Sequence, residues 1–198
     1  MIQGQINRGS KLGEIIYNLS RQLDVNNIVE IGAYNGGGST KCIYDAVIGK
    51  LNKYVWSLEC NRLRLEEAKI NLGFLTSNFK LIHGTIVDYK ELLPIMDTLE
   101  NETLKTWLKE DLDWLRVTPN VLNQLPNKID LLIIDGGEFS AQKEFDKLWE
   151  KSHYIILDDT NAIKNKDVRK FILSKPNKFR IIEDNIVDRN GFLVCEVL

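Results

Sequence analysis

The sequence predicts an α/β protein with a doubly wound, mostly parallel seven-stranded sheet, helices on both faces and a final antiparallel strand. Three observations support this. Short apolar runs alternate with helical patterns through most of the chain, the order that builds parallel sheets from strand–helix–strand units. One run, IDLLII, is wholly apolar apart from Asp130, as a strand covered on both faces should be. The last two runs, KFRIIED and GFLVCEVL, are joined through NIVDRN with no helix between them, so they pair antiparallel at one end of the sheet.

The elements follow in order. SKLGEIIYNLSRQL places Leu12, Ile15, Ile16, Leu19 and Leu23 at helical spacing behind a capping Ser10, giving an N-terminal helix over 10–24. NIVEI is a strand that runs into the glycine-rich stretch GAYNGGGST. A helix capped by Ser39 and stopped by Gly49 comes next. KYVWSLE is the second strand, and NRLRLEEAKINLG is a helix with Asn61 at its cap and Gly73 at its end. FKLIHG is the third strand. The segment 89–127 is longer than one crossover needs; it reads as an inserted helical crossover or lid of one or two helices, broken near Pro94. Strand KIDLLII, helix SAQKEFDKLWEKS, strand HYIILDD and helix KDVRKFILS lead to the two final strands.

The chain has 198 residues, which reads as a single domain over 1–198. Apolar residues make up 43% and charged residues 27%, a balance typical of globular proteins. The formal charge of -2 lacks the basic excess of a nucleic-acid binder, so no such partner is expected. Cys42, Cys60 and Cys195 show neither a disulfide framework nor zinc-ligand spacing, and suit a reducing, cytoplasmic setting. No signal-like apolar region and no membrane-length apolar window is present, so no membrane partner is expected. A homodimer is compatible with the sequence, and no motif decides it.

Ligands of doubly wound sheets bind outside the C-terminal strand ends. Here those ends carry Glu30 and the glycine run, then Glu59, then His83-Gly84-Thr85, then Asp135-Gly136-Gly137-Glu138, then Asp158-Asp159-Thr160-Asn161. The glycines permit positive φ and close approach of a ligand to backbone, and the amides that open the next helix can receive an anionic group. The run is neither G-x-G-x-x-G nor a phosphate-clamping P-loop, which places a nicotinamide oxidoreductase far behind. Glu59 can accept hydrogen bonds from ribose hydroxyls. Asp135, Asp158 and Asp159 end two strands that would be neighbours. They can share a hard divalent cation, with Asn161 adding a neutral oxygen, or cap the helices that follow. His83 reads as a polar residue of a strand-end turn. Trp107, Trp114 and Trp149 read as packing residues on helical faces, with a lid role open to the first two.

The combination VEIGAYNGGGST, YVWSLECN, IDLLIIDGG and YIILDDTN resembles the S-adenosylmethionine-dependent methyltransferases of the Rossmann-like class. It is most similar to the small metal-dependent O-methyltransferases of the catechol and caffeoyl-CoA type and their sugar-modifying relatives. The resemblance covers 26–198 except the segment 89–127. It implies that Glu30, Gly32, Ala33, Tyr34, Gly36 and Ser39 surround the methionine part of S-adenosylmethionine and that Glu59 holds the ribose. His83, Gly84, Thr85 and Ile86 would flank the adenine, with Asp135 at the edge of the cofactor. It also implies that Asp135, Asp158 and Asp159 ligate Mg2+ or another divalent cation, which activates a hydroxyl of a small-molecule acceptor.

The chain departs from the family at several positions. The glycine run is one residue longer than the catechol-type motif. Glu138 stands where that type has its catalytic lysine, Asp159 where it has asparagine, and Thr85 where many relatives have an acid. These differences disfavour catechol and favour a more hydrophilic, sugar-like acceptor. They also leave open a metal-independent methyltransferase with Glu138 or His83 as base, and a cofactor-binding scaffold without turnover. Asp135, Glu138 and His83 are thus the expected catalytic residues.

Overall fold

In a computed structural model, residues 6–73 and 75–198 are described. Seven strands form one sheet: β1 (Asn27–Ile31), β2 (Tyr54–Glu59), β3 (Phe79–His83), β4 (Ile129–Ile134), β5 (Ser152–Asp158), β6 (Phe179–Asn185) and β7 (Phe192–Val197). Their spatial order is β3-β2-β1-β4-β5-β7-β6. Strands β1 to β5 are parallel, and β7 lies between β5 and β6, antiparallel to both. The chain moves outward from β1 to β3 and then returns to β4 on the other side of β1. The ends of β1 and β4 therefore flank the point where strand order reverses, the crevice that binds ligands in such sheets.

The two sheet faces read directly from alternation along the strands. In β1, Ile28 packs into one core cluster and Val29 into the other. Helices α1 (Lys11–Arg21) and α2 (Ser39–Val47) cover the Ile28 side through Leu12, Ile16, Leu19 and Ile43, joined by Leu72 of α3 (Arg62–Leu72). On the Val29 side lie α5 (Glu102–Val117), α6 (Ala141–Leu148) and α7 (Lys166–Leu173), with Leu108, Leu112, Phe145 and Ile172 in the core. All six residues of β4 are buried, in keeping with its apolar sequence.

Two local features differ from the sequence expectation. Gly38, not Ser39, occupies the cap position of α2; Ser39 is already helical and spends its hydroxyl on Glu30. Pro94 does not break the inserted segment. It lies in the first turn of the short helix α4 (Leu93–Met96), where a missing N–H costs no helical bond. The break follows at 97–101, and Asn101 restarts the chain by accepting from the amides of Thr103 and Leu104 at the head of α5. Among the described residues no helix is long and apolar enough to cross a membrane.

Candidate functional site

A cavity of about 630 Å³ opens at the C-terminal ends of the strands. Its first wall is the glycine run. Gly32 has φ +98°, and a Cβ there would meet the Asp135 carbonyl oxygen at 2.2 Å. Only glycine lets the ends of β1 and β4 come that close. Gly36 has φ +72° and packs on Ala68 of α3, with a Cβ separation that would be 2.9 Å. Beneath this wall sits Glu30. One carboxylate oxygen accepts from Ser39 Oγ at 2.6 Å; the other accepts from Thr40 Oγ1 at 2.8 Å and from the Ser57 hydroxyl. Burial pushes its pKa up to about 7. Glu30 underlies the loop and does not itself line the cavity, whereas Gly32, Ala33, Tyr34 and Ser39 do.

Glu59, at the end of β2, ties this wall to the next. Its Oε2 accepts from the Tyr34 amide at 2.7 Å and its Oε1 from the Asn61 amide at 2.8 Å. Burial raises its pKa against those bonds. Gly84 and Thr85 line the cavity beyond β3, while Ile86 is buried in the core. Gly36 touches α3 instead of the cavity. His83 is turned away: its Nε2 lies 3.0 Å from the Cys60 carbonyl, and the side chain is not part of the lining. The inserted helix α5 closes the opposite side with Asp111, Trp114 and Leu115. Trp107 is outside the lining, and Trp149 packs in an aromatic cluster with Phe145, Phe171 and Phe179.

The acidic rim forms at β4 and β5. Asp135, Asp158 and Asp159 each place a carboxylate oxygen within 4.8 Å of the others. Two cations that sequence reasoning missed already sit among them. Lys164 Nζ lies 3.0 Å from Asp135 Oδ1 and 2.9 Å from Asp159 Oδ2. Arg189, in the hairpin between β6 and β7, puts Nη2 2.7 Å from Asp158 Oδ2. Burial raises the pKa of Asp135 despite Lys164. Asp158 is pushed up to about 7 by burial and then by Asp135 and Asp159. Burial also works to raise Asp159, but the charge of Lys164 and its hydrogen bond hold it below the usual range. Lys164 itself is raised: burial opposes its charge, and Asp135 and Asp159 more than offset that. A divalent ion needs oxygens at roughly 2.0–2.6 Å, free to converge on one point. Here two of the three carboxylates share an ammonium and the third holds a guanidinium. This donor set fits a resident divalent ion poorly.

Further acids stand behind the rim. Asp111 accepts from the Phe139 amide at 3.3 Å, and burial pushes its pKa up to about 6. Glu144 of α6 lines the cavity, is 3% exposed, has no partner for Oε2, and is pushed up to about 7 by burial. Glu138 is only partly buried and lies outside the lining; its Oε2 is also unpartnered. The signal for Asp111 and Glu144 was present in the sequence. Each is an acid on an apolar helical stripe: Asp111 with Leu108, Leu112 and Leu115, and Glu144 with Ala141, Phe145 and Leu148. Lys164 and Arg189 carry no such signal. Among the described residues, the non-glycine positions with left-handed backbone are Tyr34 (φ 48°), Asp159 (φ 53°) and Arg189 (φ 55°), and all of them line the cavity. Backbone strain of this kind gathers at functional sites.

Fold, switch-point cavity and strained loop together define the class: the chain has the α/β methyltransferase fold. No protein-family model matches the chain, and no curated protein matches it in sequence. Solved structures share the fold. An O-methyltransferase from Bacillus cereus in complex with SAH superposes with a TM-score of 0.63 at 17% identity, covering 98% of this chain and 84% of that one. SAH-bound methyltransferase PaMTH1 from Podospora anserina gives 0.58 at 15% identity, covering 94% and 78%. A ribosomal protein L11 methylase from Lactobacillus delbrueckii gives 0.55 at 12% identity, covering 96% and 80%. These similarities establish the fold. These structures include an O-methyltransferase and a ribosomal protein methylase, so the shared fold does not by itself fix the acceptor.

Proposed function

We propose that the protein is an S-adenosylmethionine-dependent methyltransferase that methylates a hydroxyl oxygen of a small, hydrophilic acceptor. The observation that supports this most is the coupling of the glycine run to Glu59: one buried carboxylate holds the Tyr34 and Asn61 amides at the cavity edge. Such a wall, built before any ligand arrives, suits a nucleoside whose ribose lies beside the acid. In this reading the methionine part rests along Gly32–Tyr34, and the adenine lies between Cys60, Thr85 and the Trp114–Leu115 face of α5.

The acceptor then lies at the rim. Its oxygen attacks the methyl carbon of the sulfonium. The new O–C bond forms as the C–S bond breaks, and that electron pair returns to sulfur. The hydroxyl proton passes to Asp135, whose side chain is 20% exposed and whose pKa burial raises. Alignment of the reacting atoms and exclusion of water supply the rate; no step runs through a metal ion. Neither His83 nor Glu138 lines the cavity, so the base is assigned to the rim. The test is transfer from methyl-labelled S-adenosylmethionine to a panel of sugars, polyols, phenols and amines. Label on hydroxyl acceptors supports the reading. Label on amines alone overturns the choice of oxygen.

A further inference from the structure

We propose that Lys164 permanently takes the place a divalent cation would otherwise fill, so that the acidic rim is neutralised by the chain itself and the site works without metal. Three carboxylates with oxygens within 4.8 Å of one another repel unless a cation or a proton lies between them. The chain supplies it from its own loop. Lys164 Nζ bridges Asp135 and Asp159 at 3.0 and 2.9 Å, and its side chain is only 10% exposed.

The loop that carries Lys164 is fixed at several points. Asn165 donates through its side-chain amide to the Ile134 carbonyl at 3.2 Å and the Asp158 carbonyl at 2.7 Å, joining the ends of β4 and β5. The Ala162 amide donates to the Asp159 carbonyl at 3.0 Å, and the Asn161 side chain donates to the Ile186 carbonyl at 2.9 Å. A tethered ammonium competes at high effective concentration against a free ion. Expelling it would leave a buried lysine without its partners.

The charges are compatible with this: when all three carboxylates are ionised, Lys164 and Arg189 offset two of their three charges. An ammonium has three N–H donors. Asp135 and Asp159 take two, which leaves one donor on this cavity-lining residue to donate to an acceptor oxygen as its proton leaves. Lys164 thus supplies, from a different place in the chain, the cation that Glu138 cannot. The catalytic part of this inference rests on the methyltransferase reading; the metal part rests on the rim alone.

The experiment measures Mn2+ binding by electron paramagnetic resonance on the full chain, and S-adenosylhomocysteine binding by calorimetry with and without excess EDTA. Wild type and K164R are expected to bind no Mn2+ at micromolar concentrations. Folded K164M is expected to bind Mn2+ at least tenfold more tightly than wild type, because the freed carboxylates recruit the ion. Micromolar Mn2+ binding by wild type overturns the inference, as does a folded K164M that gains nothing. If K164M does not fold, wild type and K164R decide. S-adenosylhomocysteine binding is read separately: its absence removes the methyltransferase reading and leaves the metal result standing.

Discussion

The two halves of the cavity differ in how their acids are satisfied. Around β1 and β2 every carboxylate oxygen has a partner: three hydroxyls serve Glu30 and two backbone amides serve Glu59. Around β4, β5 and α6, buried oxygens of Glu138, Glu144 and Asp158 have none. Buried polar groups are nearly always paired, so a cluster of exceptions calls for a cause. On the proposed reading the first half takes the fixed cosubstrate and the second, with its unmet polar atoms, takes the acceptor.

The largest expected effect breaks the cofactor half at its tightest point. Gly32→Ala forces a Cβ onto the Asp135 carbonyl at a positive φ, a strain of about 3 kcal/mol or more. Thermal denaturation should show loss of the folded protein or a fall of roughly 10 °C. An unchanged midpoint would mean that the ends of β1 and β4 are not held this closely.

Glu59→Ala comes next. A hydrogen bond from a ribose hydroxyl to this acid would be worth roughly 1.5–3 kcal/mol, so affinity for S-adenosylhomocysteine should fall about 10–100-fold. Unchanged affinity in calorimetry would remove Glu59 from the cofactor wall.

In the acceptor half, Glu144→Gln probes the cost of a buried acid. Its pKa is ordinarily 4.5 and is pushed up to about 7 in the fold. Between those values the native state binds more protons than the unfolded one, so this group makes stability fall as pH rises, up to the folded pKa. The variant should lose that slope and exceed wild type above about pH 7, by ~1–3 kcal/mol. Glu30, also pushed up to about 7, keeps a similar slope in both proteins. Denaturant titrations across pH would show it, and parallel curves for variant and wild type would refute it.

His83→Ala should do least. It removes one contact to the Cys60 carbonyl, about 1 kcal/mol of stability, and should leave S-adenosylhomocysteine affinity within about threefold. A larger loss of affinity would return His83 to the site.

The same contrast governs what could be read in advance. Strands β1 to β5 and their helices follow from apolar runs and caps, and the cavity wall at Gly32 and Glu59 follows from glycine spacing and the acid that ends β2. Those signals are local. The role of Ser39 depends on a carboxylate nine positions earlier, so its cap assignment failed. Lys164 and Arg189 look like ordinary loop charges until the fold brings them to Asp135, Asp158 and Asp159. Asp111 and Glu144 interrupt apolar helical stripes and were legible in principle, but only once those stripes were assigned to a face.

The central claim is that the complete half is a prebuilt site for S-adenosylmethionine. Titration calorimetry of the wild-type chain with S-adenosylmethionine and S-adenosylhomocysteine tests it most directly. Binding of at least one in the micromolar range, a scale of about -8 kcal/mol, and lost or weakened in Glu59→Ala, is the expected result. No heat and no thermal shift with either ligand would contradict it.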